Sequence, residues 1–215
     1  MKNLLIAALV AMSTSAHAVT VYTADFTGTA GFEHSSSNAP AAGPQTLDIN
    51  NFTIGYENTP ATDGSRNFFE TTGTSLISSD FGGDHFFRTA EIDVSGFASA
   101  TIDIVNGFVG TDSFNASSEF IEYGYSLDGG SEQSFFRFDT TPNASDLNAT
   151  TGIDVSSANV LVVAISATVN GAGDGWELSS LTVDATGAST IPLPATLPLM
   201  VMGLAAFGVL RARRV

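Results

Sequence analysis

From residue 19 to about residue 190 the chain is written almost wholly in short runs whose apolar and polar positions suit strands, separated by turn-forming groups, and no window there carries a convincing helical period. Residues 19–27, 46–56, 66–71, 86–94, 98–109, 119–127, 133–140, 159–169 and 176–184 read as strands. Asp63-Gly64, Gly82-Gly83, Asn106-Gly107, Asp128-Gly129-Gly130, Pro142-Asn143 and residues 171–175 supply turn chemistry between them. In 46–56 the alternation changes phase at Asn50-Asn51, from Leu47 and Ile49 to Phe52, Ile54 and Tyr56, which predicts a bulge or bend. In 119–127, Ile121, Tyr123, Tyr125 and Leu127 take one face and Glu122, Gly124 and Ser126 the other. Residues 159–169 are apolar on both faces, as in a central buried strand. Asp128-Gly129 predicts a tight hairpin into residues 134–138. Ile92-Asp93-Val94-Ser95 and Ile153-Asp154-Val155-Ser156, each just ahead of a strand, predict two similar lead-in turns. About nine or ten short strands at this spacing predict an all-β fold, an antiparallel β-sandwich of jelly-roll type.

The two ends break the pattern. Met1-Lys2 gives a positive start, residues 4–12 are apolar, and Ala16-His17-Ala18 is a small-x-small site. Together these read as a secretory signal helix over residues 1–18, cut by signal peptidase after Ala18. At the other end residues 191–210 carry no charge, and a helix of that length covers ~30 Å, a bilayer's hydrocarbon core. Arg211, Arg213 and Arg214 follow at once and fix the topology, holding this end on the cytoplasmic side. Pro192, Pro194 and Pro198 stand near the start, where proline harms a helix least. The expected organisation is therefore a signal peptide (1–18), a β-sandwich domain (19–185), a linker (186–190) and a C-terminal segment (191–215) with one transmembrane helix.

The succession of Ile191-Pro192-Leu193-Pro194-Ala195, an apolar span and a basic stop resembles the PEP-CTERM family of bacterial sorting tails, in the variant written V-P-L-P-A. Ile191 replaces Val and keeps its β-branched bulk. The resemblance covers about 25 of the 215 residues. It implies that an exosortase-type membrane peptidase recognises the sorting motif Pro192, Leu193, Pro194 and Ala195 and removes the tail. The protein would then pass through the inner membrane transiently and end at the cell surface or outside the cell. In the middle, the I-D-V-S turns, the hairpin Glu122-Tyr123-Gly124-Tyr125-Ser126-Leu127-Asp128-Gly129-Gly130 and the strand that begins Gly175-Trp176-Glu177-Leu178 resemble jelly-roll domains of secreted carbohydrate-binding and lectin-like proteins. That likeness implies extracellular polysaccharide as a partner.

Charge sharpens this picture. All 22 acidic residues lie in the middle, against only Arg66, Arg88 and Arg137, and the middle contains no lysine. Such a surface repels phosphate backbones and anionic headgroups, which disfavours nucleic acid and peripheral membrane binding. Cysteine is absent, so disulfides, thiolate metal sites and a cysteine nucleophile are excluded.

No catalytic set emerges. Glu91-Ile92-Asp93 imitates the start of the catalytic strand of jelly-roll β-glucanases, but Ser95 and Gly96 stand where the acid/base Glu belongs. His34 and His85 lack ligand spacing, His85 reads as a surface loop residue, and the G-x-S-x-G elbow is missing. No cofactor is expected. A structural Ca²⁺ is the one metal the composition favours, with Asp80, Asp84 and Asp174 in glycine-rich loops as oxygen ligands. Trp176, the sole tryptophan, follows a glycine-rich loop and is the candidate platform for a sugar ring. The reading is an exported, non-enzymatic cell-surface or extracellular-matrix protein, or else a carbohydrate-binding module associated with exopolysaccharide.

Mass spectrometry of the protein exported from its native host is expected to find an N-terminus at Val19 and no residue beyond roughly Pro194. A recovered peptide covering residues 211–215 overturns the processing of the tail.

Overall fold

The alternation of the middle is realised in a computed structural model that describes residues 17–34, 44–56, 67–79, 84–109, 119–139, 147–169 and 175–187. Ala16, Asp80, Asp174, the motif Pro192 to Ala195 and Arg211, Arg213 and Arg214 lie outside them, as does the segment expected to span a membrane. The described strands belong to one compact unit, Ala18–Gly187. Among the described residues there is no helix long and apolar enough to cross a membrane.

Fourteen strands are described: β1 (Ala18–Thr23), β2 (Gly31–His34), β3 (Gln45–Ile49), β4 (Phe52–Tyr56), β5 (Asn67–Thr71), β6 (Leu76–Ser79), β7 (His85–Thr89), β8 (Ile92–Asp93), β9 (Ser99–Val109), β10 (Phe120–Leu127), β11 (Gln133–Phe138), β12 (Ala149–Asp154), β13 (Val160–Thr168) and β14 (Gly175–Thr186). They form two seven-stranded sheets, one ordered β12-β9-β14-β6-β5-β2 with β1 also on β14, the other β11-β10-β13-β7-β4-β3 with β8 also on β13. Neighbours are antiparallel throughout. The inner faces of both sheets share one apolar core that includes Ile54, Phe87, Ile121 and Val163 from one and Phe69, Ile102, Leu181 and Val183 from the other. The fold is a two-sheet antiparallel sandwich.

Fourteen strands exceed the nine or ten expected. β2 and β6 have four residues each, too few to show a period, and in β12 Ile153 alone carries the buried position. The bulge or bend expected at Asn50-Asn51 takes the form of a two-residue hairpin turn joining β3 to β4, with Ile49 opposite Phe52 and Asn50 at φ 48°. A two-residue turn places the residues on either side of it on the same face, so it shifts parity as a bulge would. A true bulge lies in β14 between Leu178 and Ser180. It lets Trp176 and Leu178 point inward and then Leu181, Val183 and Ala185 do the same.

Other local signals hold. Asp128 and Gly129 take positive φ (50° and 71°) and Gly130 N–H closes the turn on Leu127 O at 2.8 Å, the mirror-image geometry a two-residue hairpin prefers. β13 is interior, between β10 and β7. The two I-D-V-S segments are matched turns, since Asp93 and Asp154 each accept the N–H two residues on. They are also reciprocal: Val94 N–H donates to Asn159 O, just ahead of β13, and Val155 N–H to Ala98 O, just ahead of β9.

With no lysine available, carboxylates are held by neutral donors. Thr20 faces Asp184, Thr53 faces Asp48 and Thr150 faces Asp103 across paired strands, and each hydroxyl donates to the opposite carboxylate. Asp25, Asp93 and Asp154 accept N–H or O–H groups of Thr27, Ser95 and Ser156, and these bonds hold all three carboxyls below the usual aspartate range.

A depressed folded pKa adds stability above the unfolded value, about 3.9 for Asp, and that stability disappears as pH falls through the folded value. An Asp93→Asn, Asp154→Asn double variant keeps turn-capping side chains without the titration. Its melting temperature is expected to fall less than that of the parent between about pH 5 and pH 3. Parallel curves would show that these two carboxylates do not contribute.

Candidate binding face

Trp176, expected as an exposed sugar platform, is fully buried, which rules out that role in the folded chain. β14 and β6 approach so closely at Gly175 that a Cβ there would lie 2.0 Å from Ser78 O, and the next residue, Trp176, turns into the core. Its Nε1–H donates to His85 Nε2 at 3.0 Å, and Ser78 Oγ lies 2.9 Å from the same nitrogen. The indole and imidazole planes are nearly parallel, with ring centres 5.9 Å apart, and Phe69 lies edge-on to the indole at 5.6 Å. His85 is therefore a core residue of β7, only 1% exposed, and not on a surface loop. The phase that sends Phe87 and Thr89 inward sends His85 inward too. Indole is a donor only, so Nε2 is the acceptor, and Ser78 and His85 form a sealed structural contact and not a nucleophile and its base.

The remaining candidates are dispersed. Asp84 accepts the hydroxyl of Thr168. Among the described residues no group of three His, Asp or Glu side chains is placed to hold a metal ion. Glu91 is exposed, and the Asp93 carboxylate is taken up by Ser95 N–H and Oγ. Ala18 opens β1, opposite Thr186 at the end of β14.

The built surface is the outer face of the second sheet, where the outward positions of β10, β13, β7 and β4 are mostly small. Across the strands one row runs Glu122, Ser166, Phe86, Gly55, and the next runs Gly124, Ala164, Arg88, Thr53. Two depressions lie on this floor. One, of about 360 Å³, is lined by Arg88, Ser126, Gly129, Gly130, Glu132, Val162 and Ala164. The other, of about 130 Å³, is lined by Asp84, His85, Phe86, Phe120, Ser166 and Ala167.

Close approaches shape the walls. The Phe86 ring lies where a Cβ on Gly55 would stand, with its Cζ 2.6 Å from that position, and the Arg88 guanidinium sits 4.5 Å above the ring centre. On the other side Arg137 lies 4.3 Å over the Phe120 ring and pairs with Glu122. A hydrogen bond from Ser134, with Arg137 beside it, holds the Glu122 carboxyl below its usual range. Past the hairpin tip, Glu132 folds over Gly124, its Oε1 2.7 Å from where a Cβ would be. Asp128 anchors that tip by accepting Asn159 N–H and Val160 N–H, both at 2.9 Å.

No protein-family model matches the chain, and no curated protein matches its sequence. Solved structures that match the chain include TmCBM61 in complex with β-1,4-galactotriose, at 13% identity and TM-score 0.37, covering 65% of this chain and 85% of that one. The xylan-binding module CBM15 matches at 17% identity and TM-score 0.37 over 69% and 98% of the two chains. The K3 cleaved adhesin domain of Lys-gingipain from Porphyromonas gingivalis matches at 17% and 0.36 over 77% and 99%. Likeness of this degree carries nothing about ligand, so the chemistry of the face rests on its own residues.

Arg88, Glu132 and Gly124 were not read as site residues from the sequence. The available signal was that the middle holds only three arginines and that Arg88 and Arg137 occupy outward positions of strands predicted by alternation.

As the sole tryptophan, Trp176 reports the core directly. Native fluorescence is expected to be nearly insensitive to acrylamide and to become quenchable on unfolding. Trp176→Ala is expected to cost about 3–5 kcal/mol in denaturant unfolding. Trp176→Phe, which fills most of the space but leaves His85 Nε2 without the indole donor, is expected to cost about 1–3 kcal/mol. Strong native quenching would place the indole at the surface.

Proposed function

We propose that this is an exported, non-enzymatic cell-surface or extracellular-matrix protein whose jelly-roll-like sandwich holds extracellular polysaccharide across the outer face of its second sheet. The observation that carries this reading is the pair of depressions on that face, floored by small side chains and walled by arginine, glutamate, serine and aromatic groups. Serine and glutamate exchange hydrogen bonds with hydroxyls, and small apolar floor residues accept the C–H face of a sugar. The acidic composition favours a role outside the cell and opposes nucleic acid as the partner. Delivery by signal peptidase cleavage and sorting by an exosortase-type peptidase belong to the same proposal and rest on the residues at the two ends. Ser78 and His85, which are in hydrogen-bond contact, are sealed in the core, which supports a binding role over hydrolysis.

Affinity electrophoresis through gels cast with exopolysaccharide of the native host tests the binding. The protein is expected to be retarded, and Ser126→Trp, which fills the larger depression from an outward position, is expected to migrate as in a blank gel with an unchanged circular dichroism spectrum. Free migration of the unmodified protein through every polysaccharide tried overturns the reading.

A further inference from the structure

Arg88 and Arg137 share one sheet face, but their surroundings differ. Arg137 is neutralised by Glu122. Arg88 has no carboxylate partner among the described residues, although the chain carries 22 acidic residues. It lies over the Phe86 ring, its guanidinium carbon 4.5 Å from the ring centre, and a guanidinium held over a ring has N–H groups left for another partner. Its strand neighbours on this face are Ala164 on β13 and Thr53 on β4, neither of which carries charge. The hydroxyl of Thr53 is already donated to Asp48, which satisfies that acid without Arg88.

We propose, building on the polysaccharide reading above, that Arg88 binds the carboxylate of a uronate-bearing glycan lying across β10, β13 and β7. A planar carboxylate takes two parallel N–H bonds from a guanidinium, the pairing for which arginine is best shaped. Glu132 on the opposite wall of the same depression repels an anion and accepts hydroxyl protons. The two walls therefore orient a sugar, with its carboxylate toward Arg88 and its hydroxyls toward Glu132 and Ser126. Val162 and Ala164 between them offer an apolar floor without bulk. The smaller depression at Phe86, Phe120 and Ser166 lies on the same three strands and extends the surface for a second residue of the glycan. The protein's net charge of −15 does not forbid an anionic ligand. At physiological ionic strength charges beyond about 8 Å are largely screened, whereas a contact pair at about 4 Å is not.

The test compares binding of polygalacturonate with binding of the same polymer after reduction of its carboxyl groups, using the full domain and its Arg88→Gln and Arg88→Lys variants. The unmodified protein is expected to bind the carboxylated polymer at least tenfold more tightly, with the preference weakening as salt is raised. Arg88→Gln is expected to remove the preference while leaving the weaker binding of the reduced polymer. Arg88→Lys is expected to restore it only in part, because an ammonium lacks the fork. Glu132→Gln is expected to retain it. Equal binding of the two polymers, or a preference that survives Arg88→Gln, overturns the role of Arg88 and leaves the polysaccharide reading standing. Failure to bind either polymer while host exopolysaccharide still retards the protein has the same meaning. Failure with every polysaccharide overturns both.

Discussion

Between the two sheets the Trp176 indole of β14 donates to His85 of β7, and a second polar link runs from Asn106 of β9 to the Tyr123 hydroxyl of β10, which in turn donates to Leu147 O at 2.8 Å. Both links are buried in apolar surroundings, where a misaligned partner leaves an unsatisfied donor or acceptor at a cost of about 1–3 kcal/mol. Their contribution is therefore mainly positional: an apolar interface alone tolerates sliding, and a buried hydrogen bond does not. Burial also pushes the Tyr123 hydroxyl well above its usual range, keeping it a neutral donor. Asn106 Oδ1 is left without a partner among the described residues, so satisfaction at this link is incomplete. In a chain without cysteine, these contacts fix which part of β14 lies over β7.

The outer face depends on that placement. With His85 and Phe87 committed inward, the intervening Phe86 and Arg88 must point outward beside Ala164 and Ser166 of β13. With Tyr123 inward, Glu122, Gly124 and Ser126 are outward by the same parity. The apolar core thus sets the row of small residues that floors the face, and the anchored hairpin lays Glu132 along its edge. An interaction inside the sandwich and a surface outside it are linked through the two-residue period of the strands.

Charge follows a second rule. A domain with many carboxylates and almost no cations cannot rely on ion pairs, and exposed ion pairs would add little in any case. Threonine hydroxyls directly across the strand pairs and backbone N–H groups in aspartate-capped turns serve instead. Because the acids are met by neutral donors, an arginine on a strand is released from neutralising them. Arg88 is such a residue: unlike Arg137 on the same face, which pairs with Glu122, it has no carboxylate partner among the described residues, and this is the basis for reading it as the group that meets an anion.

The sequence by itself determined the all-β class, most of the long strands, the Asp128-Gly129 hairpin, the paired I-D-V-S turns and the interior position of β13, because each depends on local backbone chemistry or on the alternation of a single strand. It misjudged the strands of four residues, where too few positions exist to show a period. It left the phase shift at Asn50-Asn51 open between a bulge and a bend, where the chain makes a hairpin turn, because all of these shift parity alike. Trp176 and His85 were read as surface groups from their loop neighbours, whereas their environment is set by residues 91 positions apart along the chain. Only the tertiary structure decided that Arg88, Ser126, Glu132 and Ala164 share one depression. They come from β7, β13 and the β10–β11 hairpin, and strand order and register, not sequence spacing, bring those three segments together.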